Sequence, residues 1–266
     1  MSEEKYFDKS RIVIRQIEKG LAENMIVKNH YSHKWSLCQV AYGIFYISDV
    51  DSEFFDSKEE KHIGSIVFGQ PVGRSAAESI SDLVKVDEVF ELTRLWVADG
   101  YGRNIESYCL SEALKLIRRD FLHIRALITY ADSEVGHRGV IYQASNMYYQ
   151  GRGEIALMPN YSISLVGPPY KWIHSRTVSA TYGSHNVEHL KKKIGHTFWR
   201  KKESSKHRYF YLFGNKMEKK KILSNLKHPI LPYPKLSDHQ NEVEKIICEN
   251  NDNFSNNFFH ILKRDL

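Results

Sequence analysis

The chain has 266 residues and a net charge of +6, and it is long enough to bury a substantial core in one large domain, with or without an extension. Its hydrophobic fraction of 42% is ordinary for a soluble protein, and no apolar run approaches the roughly 20 residues that span a bilayer. Three scattered cysteines argue against a disulfide framework or a structural zinc site, and the polar N-terminus shows no secretory signal, so we expect a cytoplasmic protein without a membrane partner.

The first hundred residues are predicted to contain mostly strands, from short apolar runs separated by polar or Gly/Pro/Ser-rich segments. In chain order we predict a short strand at Ile12, an amphipathic helix up to Lys28, a loop over 29–35, strands over 40–48 and 63–68 on either side of an acidic loop (49–61), a loop over 69–78 and a strand over 89–97. The helix is predicted from apolar residues that lie close to helical spacing, and the strands are predicted from short runs of apolar residues.

The rest of the chain mixes helices and strands. In chain order we predict a break at 99–104, a helix over 106–119, a strand over 125–130, a helix from Val140 that ends within 147–151, strands over 163–166 and 209–213, a basic helix over 217–227, an Asn-rich linker (250–257) and a short apolar helix (258–262). This order predicts an α+β fold, with a mixed sheet flanked by helices.

Charge and proline suggest where the domain boundaries lie. Residues 171–221 hold fourteen Lys and Arg against three Asp and Glu, so they carry +11 and leave the rest of the chain at −5. Pro168 and Pro169 punctuate the chain just before this segment. We therefore expect a catalytic core over 1–170, a basic extension over 171–236 and a tail over 237–266.

The basic segment predicts a nucleic-acid partner. Basic side chains neutralise phosphates, and the aromatic residues that interleave with them can stack on exposed bases. The candidate backbone contacts are Lys191, Lys192, Lys193, Arg200 and Lys201. The alternative is a solvated basic surface over ordinary core aromatics.

The stretch from Leu127 to Tyr142 is the strongest candidate for a site, because it predicts a strand, a turn and the start of a helix within sixteen residues. Asp132 ends the strand, His137 lies in a turn between two glycines, and Tyr142 lies one turn into the helix. These side chains can meet around one substrate, and their types move protons or bind metal. The alternatives are a helix cap for Asp132, a hydrogen-bonding turn histidine and a core tyrosine.

Arg94 is a charge within an apolar strand, so it predicts an anionic partner such as a phosphate or a carboxylate. The alternative is an arginine on the solvent face of the strand. Further along, the backbone N–H groups of Gly100, Gly102, Arg103 and Asn104 precede a helix and can hold phosphates. That sequence is neither a P-loop nor a dinucleotide fingerprint.

Four ring-bearing side chains crowd the loop over 29–35: His30, Tyr31, His33 and Trp35. This density predicts either a platform on which a base stacks or a pair of metal ligands. The spacing matches no standard zinc motif. An exposed loop that holds these residues without a function is the alternative.

The layout of strand, loop, helix, strand, loop and helix resembles the core of the acetyltransferase-like (GNAT) proteins. In that fold a Gly-rich loop before the central helix holds the pyrophosphate of coenzyme A, and here Gly100–Asn104 occupies that place. The resemblance implies a central twisted sheet flanked by helices and the use of acetyl-CoA or another donor. The segment departs from the usual Arg/Gln-x-x-Gly-x-Gly/Ala pattern.

A closer resemblance is to the Mom DNA-modification proteins of phages. It rests on Leu92-Thr93-Arg94-Leu95-Trp96, on Tyr130-Ala131-Asp132 with Gly136-His137-Gly139 and Tyr142, on Asn29-His30-Tyr31-Ser32-His33, and on the Lys206–Tyr209 and Leu231–Lys235 segments. It covers roughly residues 12–236.

This second resemblance implies an activity and a set of site residues. Mom proteins convert adenine in double-stranded DNA to an N6-carbamoylmethyl derivative, which protects phage DNA from host restriction enzymes in the host cytoplasm. The important residues would be Arg94, Asp132 and Tyr142. A site for iron would be formed by His30, Tyr31, Asp132 and Tyr142.

The chemistry of adenine agrees with this implied activity. Its exocyclic amine is a poor nucleophile, so it needs a positioned electrophile and a proton acceptor, which Asp132 can be. The base must also leave the duplex, and Tyr31, Trp35 or Tyr142 can then stack on it. Two alternatives stay open: an acetyl-CoA-dependent N-acyltransferase on a small amine or a protein, and a non-catalytic DNA-binding module.

Overall fold

The structure, a computed structural model, describes residues 6–52, 55–152, 160–203, 206–235 and 243–248. The described residues form ten strands: β1 (Ile12–Ile17), β2 (Val40–Ser52), β3 (Phe55–Gly69), β4 (Val89–Val97), β5 (Ala126–Ala131), β6 (Tyr148–Arg152), β7 (Tyr161–Ser164), β8 (Phe198–Lys202), β9 (His207–Leu212) and β10 (Val243–Ile246). They also form seven α-helices: α1 (Lys19–Asn29), α2 (Arg74–Glu78), α3 (Ile105–Asp120), α4 (Val140–Ala144), α5 (Ser175–Tyr182), α6 (Val187–Ile194) and α7 (Lys216–Leu223). None of the helices in this part of the chain is long and apolar enough to span a membrane.

The first compact unit contains the described residues up to 152 together with 206–235. Its seven strands form one sheet in the order β1-β2-β3-β4-β5-β9-β6. Every neighbouring pair is antiparallel except β4 and β5, which are parallel and are connected through α3. The predicted α+β class with a mixed sheet is therefore confirmed.

Helices cover both faces of this sheet, as the alternation of side chains along the strands requires. In β5, Leu127 packs into the cluster that contains the apolar stripe of α3, including Leu110 and Ile117. Its neighbours Ala126 and Ile128 pack on the opposite face, in the cluster that contains α2 and α7. The continuous apolar run of β5 is explained by this burial on both sides.

The parallel pair separates part of the way along its length. The backbone pairing of β4 with β5 runs only from Val89 to Glu91, opposite Ala126 to Ile128. Beyond this point β4 remains paired with β3, and β5 remains paired with β9. The carboxyl ends of the two parallel strands thus diverge within one sheet, where open mixed sheets commonly bind ligands.

A second compact unit contains the described residues 160–203 and 243–248. It has a three-stranded antiparallel sheet in the order β10-β8-β7, with α5 and α6 and a small core of its own. The basic segment contributes residues to both units, since 206–221 supplies β9 and part of α7 to the first. The predicted boundaries at 170 and 236 stay predictions.

Several predicted elements differ from the structure. The acidic stretch over 49–61, predicted as the loop of a hairpin connection, is largely strand: β2 extends to Ser52 and β3 begins at Phe55, and the two pair as an antiparallel hairpin. Arg15 of β1 pairs with Glu60 there. The helix from Val140 ends at Ala144, and residues 148–152 form β6, which pairs with β9. Exposed strands that are rich in charged residues, and short helices, contain too few regularly spaced apolar residues to be recognised from the sequence. The linker and helix predicted over 250–262 lie outside the described residues.

A largely buried carboxylate, that of Glu203, links two elements of the second unit. Glu203 accepts hydrogen bonds from the backbone N–H and the hydroxyl of Ser175, at 2.7 and 2.9 Å, and from the hydroxyl of Ser162, at 2.8 Å. It thus links the first turn of α5 to β7. Burial by itself would raise the pKa of Glu203, but these hydrogen bonds outweigh it and hold the pKa below its usual value.

We predict that Glu203→Gln lowers the free energy of unfolding at pH 7 by about 1 kcal/mol, because a neutral amide replaces a charged acceptor at a helix N-terminus. The folded-state pKa lies below the value of about 4.3 for an unfolded glutamate, so the carboxylate stabilises the fold above that pH and loses this effect as the pH falls through the folded-state pKa. Urea unfolding followed by tryptophan fluorescence at pH 7 and at low pH tests this. Glu188→Gln, at an exposed ion pair with Lys191, is the matched control and should change little.

Candidate functional site

A cavity of about 600 Å³ lies where β4 and β5 diverge. Its walls come from the end of α1 and the loop that follows it, from β4, from the end of β5, from residues 136–142, and from Glu106 and Lys206. This volume is within the range of about 300–1,000 Å³ that is typical of small-molecule sites. Of the predicted site residues, the structure brings His30, Tyr31, Arg94, Asp132, His137 and Tyr142 together around it.

The turn from Asp132 to Gly139 is held by its own backbone. The His137 N–H donates to the Asp132 carbonyl at 3.0 Å, and the Tyr209 hydroxyl donates to the Arg138 carbonyl. Gly139 has a φ of +74°, and a Cβ there would lie 2.8 Å from Cζ of Tyr209. Only glycine fits at this position, so it fixes the path of the chain from Asp132 to α4.

Asp132 presents a carboxylate to the cavity. Its Oδ2 lies 3.6 Å from Nζ of Lys206, and a fifth of its side chain is exposed. It does not cap α4, because the residue at the N-cap is Gly139. A carboxylate that lines an open cavity beside Lys206 lies within reach of a substrate.

Tyr142 lies deeper. Burial raises the pKa of its phenol, and a hydrogen bond with the Thr129 side chain opposes that shift. Its ring packs 5.4 Å from that of Tyr209. At neutral pH the phenol is therefore protonated and serves as a hydrogen-bond donor or as a flat packing surface.

Three rings meet at one side of the cavity. The Tyr31 ring lies 4.3 Å from the ring of His30 and 5.2 Å from that of His137, which it meets edge-on. Burial, together with the charges of Arg94, His137 and His33, lowers the pKa of His30 to about 4. His30 is therefore neutral at pH 7, while half of the Tyr31 side chain remains exposed.

The contacts of His30 test the predicted iron site. Nδ1 of His30 lies 2.8 Å from the Ser32 hydroxyl and 3.1 Å from the Ser32 backbone nitrogen, so Ser32 orients the ring. Among the described residues, no group of three or more His, Cys, Asp or Glu side chains is arranged to hold a metal. Iron stays a prediction.

Arg94 connects the ring-bearing loop to β4. Its Nε donates to the Lys34 carbonyl at 2.9 Å and its Nη1 donates to the Thr93 carbonyl at 2.6 Å, while burial lowers its pKa. The guanidinium lines the cavity rather than the solvent face of the strand. It therefore ties β4 to the loop that follows α1, and the predicted anionic partner would meet a guanidinium that is already oriented.

The other predicted residues lie away from the cavity lining. Gly100, Gly102, Arg103 and Asn104 form the turn before α3, with Asn104 in the left-handed conformation, and coenzyme A binding there stays a prediction. Trp35 packs against the cluster that contains Ala22 and Val67. Nδ1 of His33 donates to the Val27 carbonyl at 3.0 Å.

The predicted DNA-backbone contacts belong to the second unit. Lys191 pairs with Glu188, and Lys192 and Lys193 are exposed in the last turn of α6. Arg200 pairs with Glu244 at 2.6 Å, and Lys201 lies 5.1 Å from the centre of the Trp172 ring. Their contact with nucleic acid stays a prediction.

Four charged residues of the cavity were not predicted as site residues from the sequence: Glu91, Glu106, Arg138 and Lys206. Glu91 lies in the same apolar strand as Arg94, so the argument that singled out Arg94 applies to it equally. Its carboxylate accepts a hydrogen bond from the Val72 N–H at 3.1 Å. Burial raises its pKa, although that hydrogen bond and the charges of Lys206 and Arg94 oppose the shift.

We predict that Glu91→Gln raises the melting temperature at pH 8 and that the gain shrinks towards pH 4. The folded-state pKa lies above the unfolded value, so the ionised carboxylate destabilises the fold at high pH, and protonation removes this effect as the pH falls. Gln keeps an acceptor for the Val72 N–H. Calorimetry across this pH range measures the difference, and Glu88→Gln, at an exposed carboxylate that accepts from the Lys85 N–H, should show no such gain.

Comparison with solved structures gives only weak likenesses. A domain from Methanocaldococcus jannaschii has a TM-score of 0.33 at 14% identity and covers 54% of this chain and 92% of its own. A Bacillus subtilis acetyltransferase in complex with CoA has a TM-score of 0.36 at 8% identity and covers 77% of this chain and 99% of its own. At such scores the fold class rests on the sheet topology described above.

Comparison of sequences is more informative. The methylcarbamoylase Mom of Escherichia phage Mu is 26% identical over 230 residues, which are 84% of this chain and 83% of that protein. This relative confirms the prediction of a transferase-type enzyme. A family model matches residues 11–235, almost the whole of the described chain, and the protein therefore belongs to the Mom protein family.

Proposed function

We propose that this protein modifies the exocyclic amine of adenine in double-stranded DNA, converting it to N6-carbamoylmethyladenine. One observation carries the proposal: a chain of the Mom family gathers Arg94, Asp132, Tyr142 and Tyr31 around one cavity at the diverging ends of two parallel strands. The modified base would protect phage DNA from host restriction enzymes, and the enzyme would act in the host cytoplasm.

The reaction needs an acceptor for one proton. As the amine nitrogen forms its bond to the carbamoylmethyl carbon, the bond between that carbon and the rest of the donor breaks. The rest of the donor leaves with the electron pair of this bond, and the nitrogen loses a proton. The Asp132 carboxylate would take this proton, since it faces the cavity beside Lys206. The raised pKa of Tyr142 keeps its phenol protonated, and its ring would pack against the substrate.

The target adenine would enter the cavity after leaving the duplex. Tyr31 is half exposed at the cavity and offers a ring on which the base can stack, and the edge-on contact with His137 holds that ring in place. Arg94 would meet an anionic group of the donor or of the DNA. His33 and Trp35 follow in the same loop.

The second unit would bind the DNA backbone through Lys191, Lys192, Lys193, Arg200 and Lys201. Cationic side chains on α6 and β8 neutralise phosphates without reading sequence, so this binding would weaken with salt. The donor of the added group would be held by residues that include Gly100, Gly102, Arg103 and Asn104, if it is a coenzyme A derivative. Iron, if bound by His30, Tyr31, Asp132 and Tyr142, would supply a Lewis acid.

We predict that cells expressing this chain contain a deoxyadenosine heavier by one carbamoylmethyl group, and that Asp132→Asn lowers its amount by about 100-fold or more, which is the usual contribution of a general base. Tyr142→Phe should reduce the product while leaving the protein folded, since the ring still packs against Tyr209. Mass spectrometry of nucleosides from plasmid DNA measures both.

Matched controls separate chemistry from folding. Asp120→Asn and Tyr108→Phe change the same residue types outside the cavity lining and should leave the product level unchanged. Unmodified DNA from cells that hold soluble wild-type protein would contradict the proposal. It would favour the acetyl-CoA-dependent acyltransferase, or the DNA-binding module if the protein still binds DNA.

A further inference from the structure

Two short helices of the second unit are joined by a tight turn. α5 ends at Tyr182, α6 begins at Val187, and four residues lie between them. Gly183 ends α5 in the left-handed conformation, with a φ of +81°, and its N–H donates to the Ser179 carbonyl at 2.8 Å. Asn186 caps α6, because its side-chain oxygen accepts from two N–H groups of the first turn. A turn of three or four residues with a glycine, between two helices, is characteristic of the helix-turn-helix motif.

Side chains hold the two helices in place across this turn. Nε2 of His189, on α6, donates to the Tyr182 carbonyl at the end of α5, at 2.7 Å. The Ser179 hydroxyl of α5 lies 3.0 Å from Nδ1 of His185 in the turn. α5 and α6, all of whose residues the structure describes, are not packed against each other along their length, as the helices of an antiparallel hairpin are. The pair is therefore fixed at the turn and diverges from it.

α6 has a buried side and an exposed side. Leu190 and Ile194 are buried in the core of the second unit, in the same cluster as Val178 of α5. Glu188 and Lys192, which are one turn apart, are exposed, as the helical period requires of positions on the side away from Leu190. The packing of the second unit thus leaves a polar face of α6 open to a partner.

The charge of this face indicates duplex DNA as the partner. Lys191, Lys192 and Lys193 lie in the last turn of α6, Glu188 lies in the first, and the surrounding 171–221 segment carries +11. Phosphates attract such a surface, and the major groove of B-DNA, about 12 Å wide, admits an α-helix. An acidic protein surface would repel Glu188, whereas the base edges in the major groove include amino groups that donate to a carboxylate.

We propose that α5 and α6 form a helix-turn-helix motif, in which α6 enters the major groove of the substrate DNA and Glu188 reads a base edge there. This inference rests on the proposed function, which takes double-stranded DNA as the substrate and assigns the lysines of α6 to its phosphates. Phosphate contacts position a protein on DNA but carry no sequence information. The second unit would therefore select the sequence on which the enzyme acts, besides holding the backbone.

Glu188 is suited to this role by its place and its chemistry. It lies in the first turn of the second helix, where helix-turn-helix proteins make their base contacts. Its ion pair with Lys191, at 3.1 Å, is exposed and therefore weak, so the carboxylate can exchange it for a base edge. A carboxylate accepts a hydrogen bond from the N4 amino group of cytosine, whereas a glutamine amide at the same place matches adenine.

Selection from random duplexes measures this reading without knowledge of the donor. Purified full-length protein binds a pool of duplexes with a randomised window, and the bound molecules are sequenced. We expect wild-type protein to prefer cytosine at one position by about tenfold, which is the usual discrimination of one good base contact. Glu188→Gln should prefer adenine there, and Glu188→Ala should lose the preference while it still binds DNA.

Matched variants locate the preference in α6. Glu23→Gln, at an exposed glutamate of α1, should keep the wild-type preference. Lys192→Ala should weaken binding to all sequences alike and reduce its dependence on salt, because it removes a phosphate contact.

Modified bases locate the contact in the major groove. N4-methylcytosine at the selected position should weaken binding of wild-type protein but not of Glu188→Ala. Inosine in place of the paired guanine removes only an amino group of the minor groove and should leave the affinity of both proteins unchanged.

The outcomes separate this inference from the proposed function. If the wild-type protein binds and modifies DNA but selects no cytosine, or if Glu188→Gln keeps the wild-type preference, the helix-turn-helix assignment is wrong and the proposed function stands. If the wild-type protein neither binds duplex DNA nor modifies adenine, both are wrong. A preference that changes from cytosine to adenine in Glu188→Gln, and not in Glu23→Gln, supports the assignment.

Discussion

The end of backbone pairing between β4 and β5 is the constraint on which the site depends. Three residue pairs, from Val89 to Glu91, join the strands, and beyond them each strand keeps a partner on its other side only. The side-chain hydroxyl of Thr129 donates to the Leu92 carbonyl where the pairing ends. Each of the two strands that bound the cavity is therefore paired on the side away from it, so the sheet opens here without losing those pairings.

The cavity is lined by charged side chains whose removal from water does not by itself stabilise the fold. Glu91 and Arg94 lie on β4, and Asp132 and Lys206 face each other nearby. Charges of both signs lower the cost of removing each one from water, yet the pKa of Glu91 still rises on burial. Groups that destabilise a fold and yet converge on one cavity are typical of sites selected for chemistry.

Hydrogen bonds from side chains to backbone carbonyl groups hold the loops that line the cavity. Arg94 donates two hydrogen bonds to backbone carbonyl groups, and one of these groups lies in the loop that carries Tyr31. Tyr209 and Gln143 both donate to the Arg138 carbonyl and thereby fix the turn after Asp132. Substitution of Tyr209 or Gln143 would therefore alter the cavity, although neither side chain lines it.

The sequence alone determined the parts of the protein that local pattern controls. The apolar stripe of α3, the buried run of β5 and the strand-turn-helix junction from Asp132 to Tyr142 were all predicted, because spacing and glycine positions encode them directly. The family followed from the same residues. Arg94 was recognised as a charge within an apolar strand, and Glu91, which has the same signal, was overlooked.

Only the tertiary structure decided which of these residues meet. Sequence spacing cannot show that β4 and β5 separate after Glu91, since that depends on the partners each strand finds elsewhere in the sheet. For the same reason, sequence spacing could not show that Lys206 lies beside Asp132 or that Trp35 packs into a core. It also could not show that Ser32 contacts a ring nitrogen of His30. Contacts between residues distant in sequence follow from the pairing of whole strands, and no local pattern records that pairing.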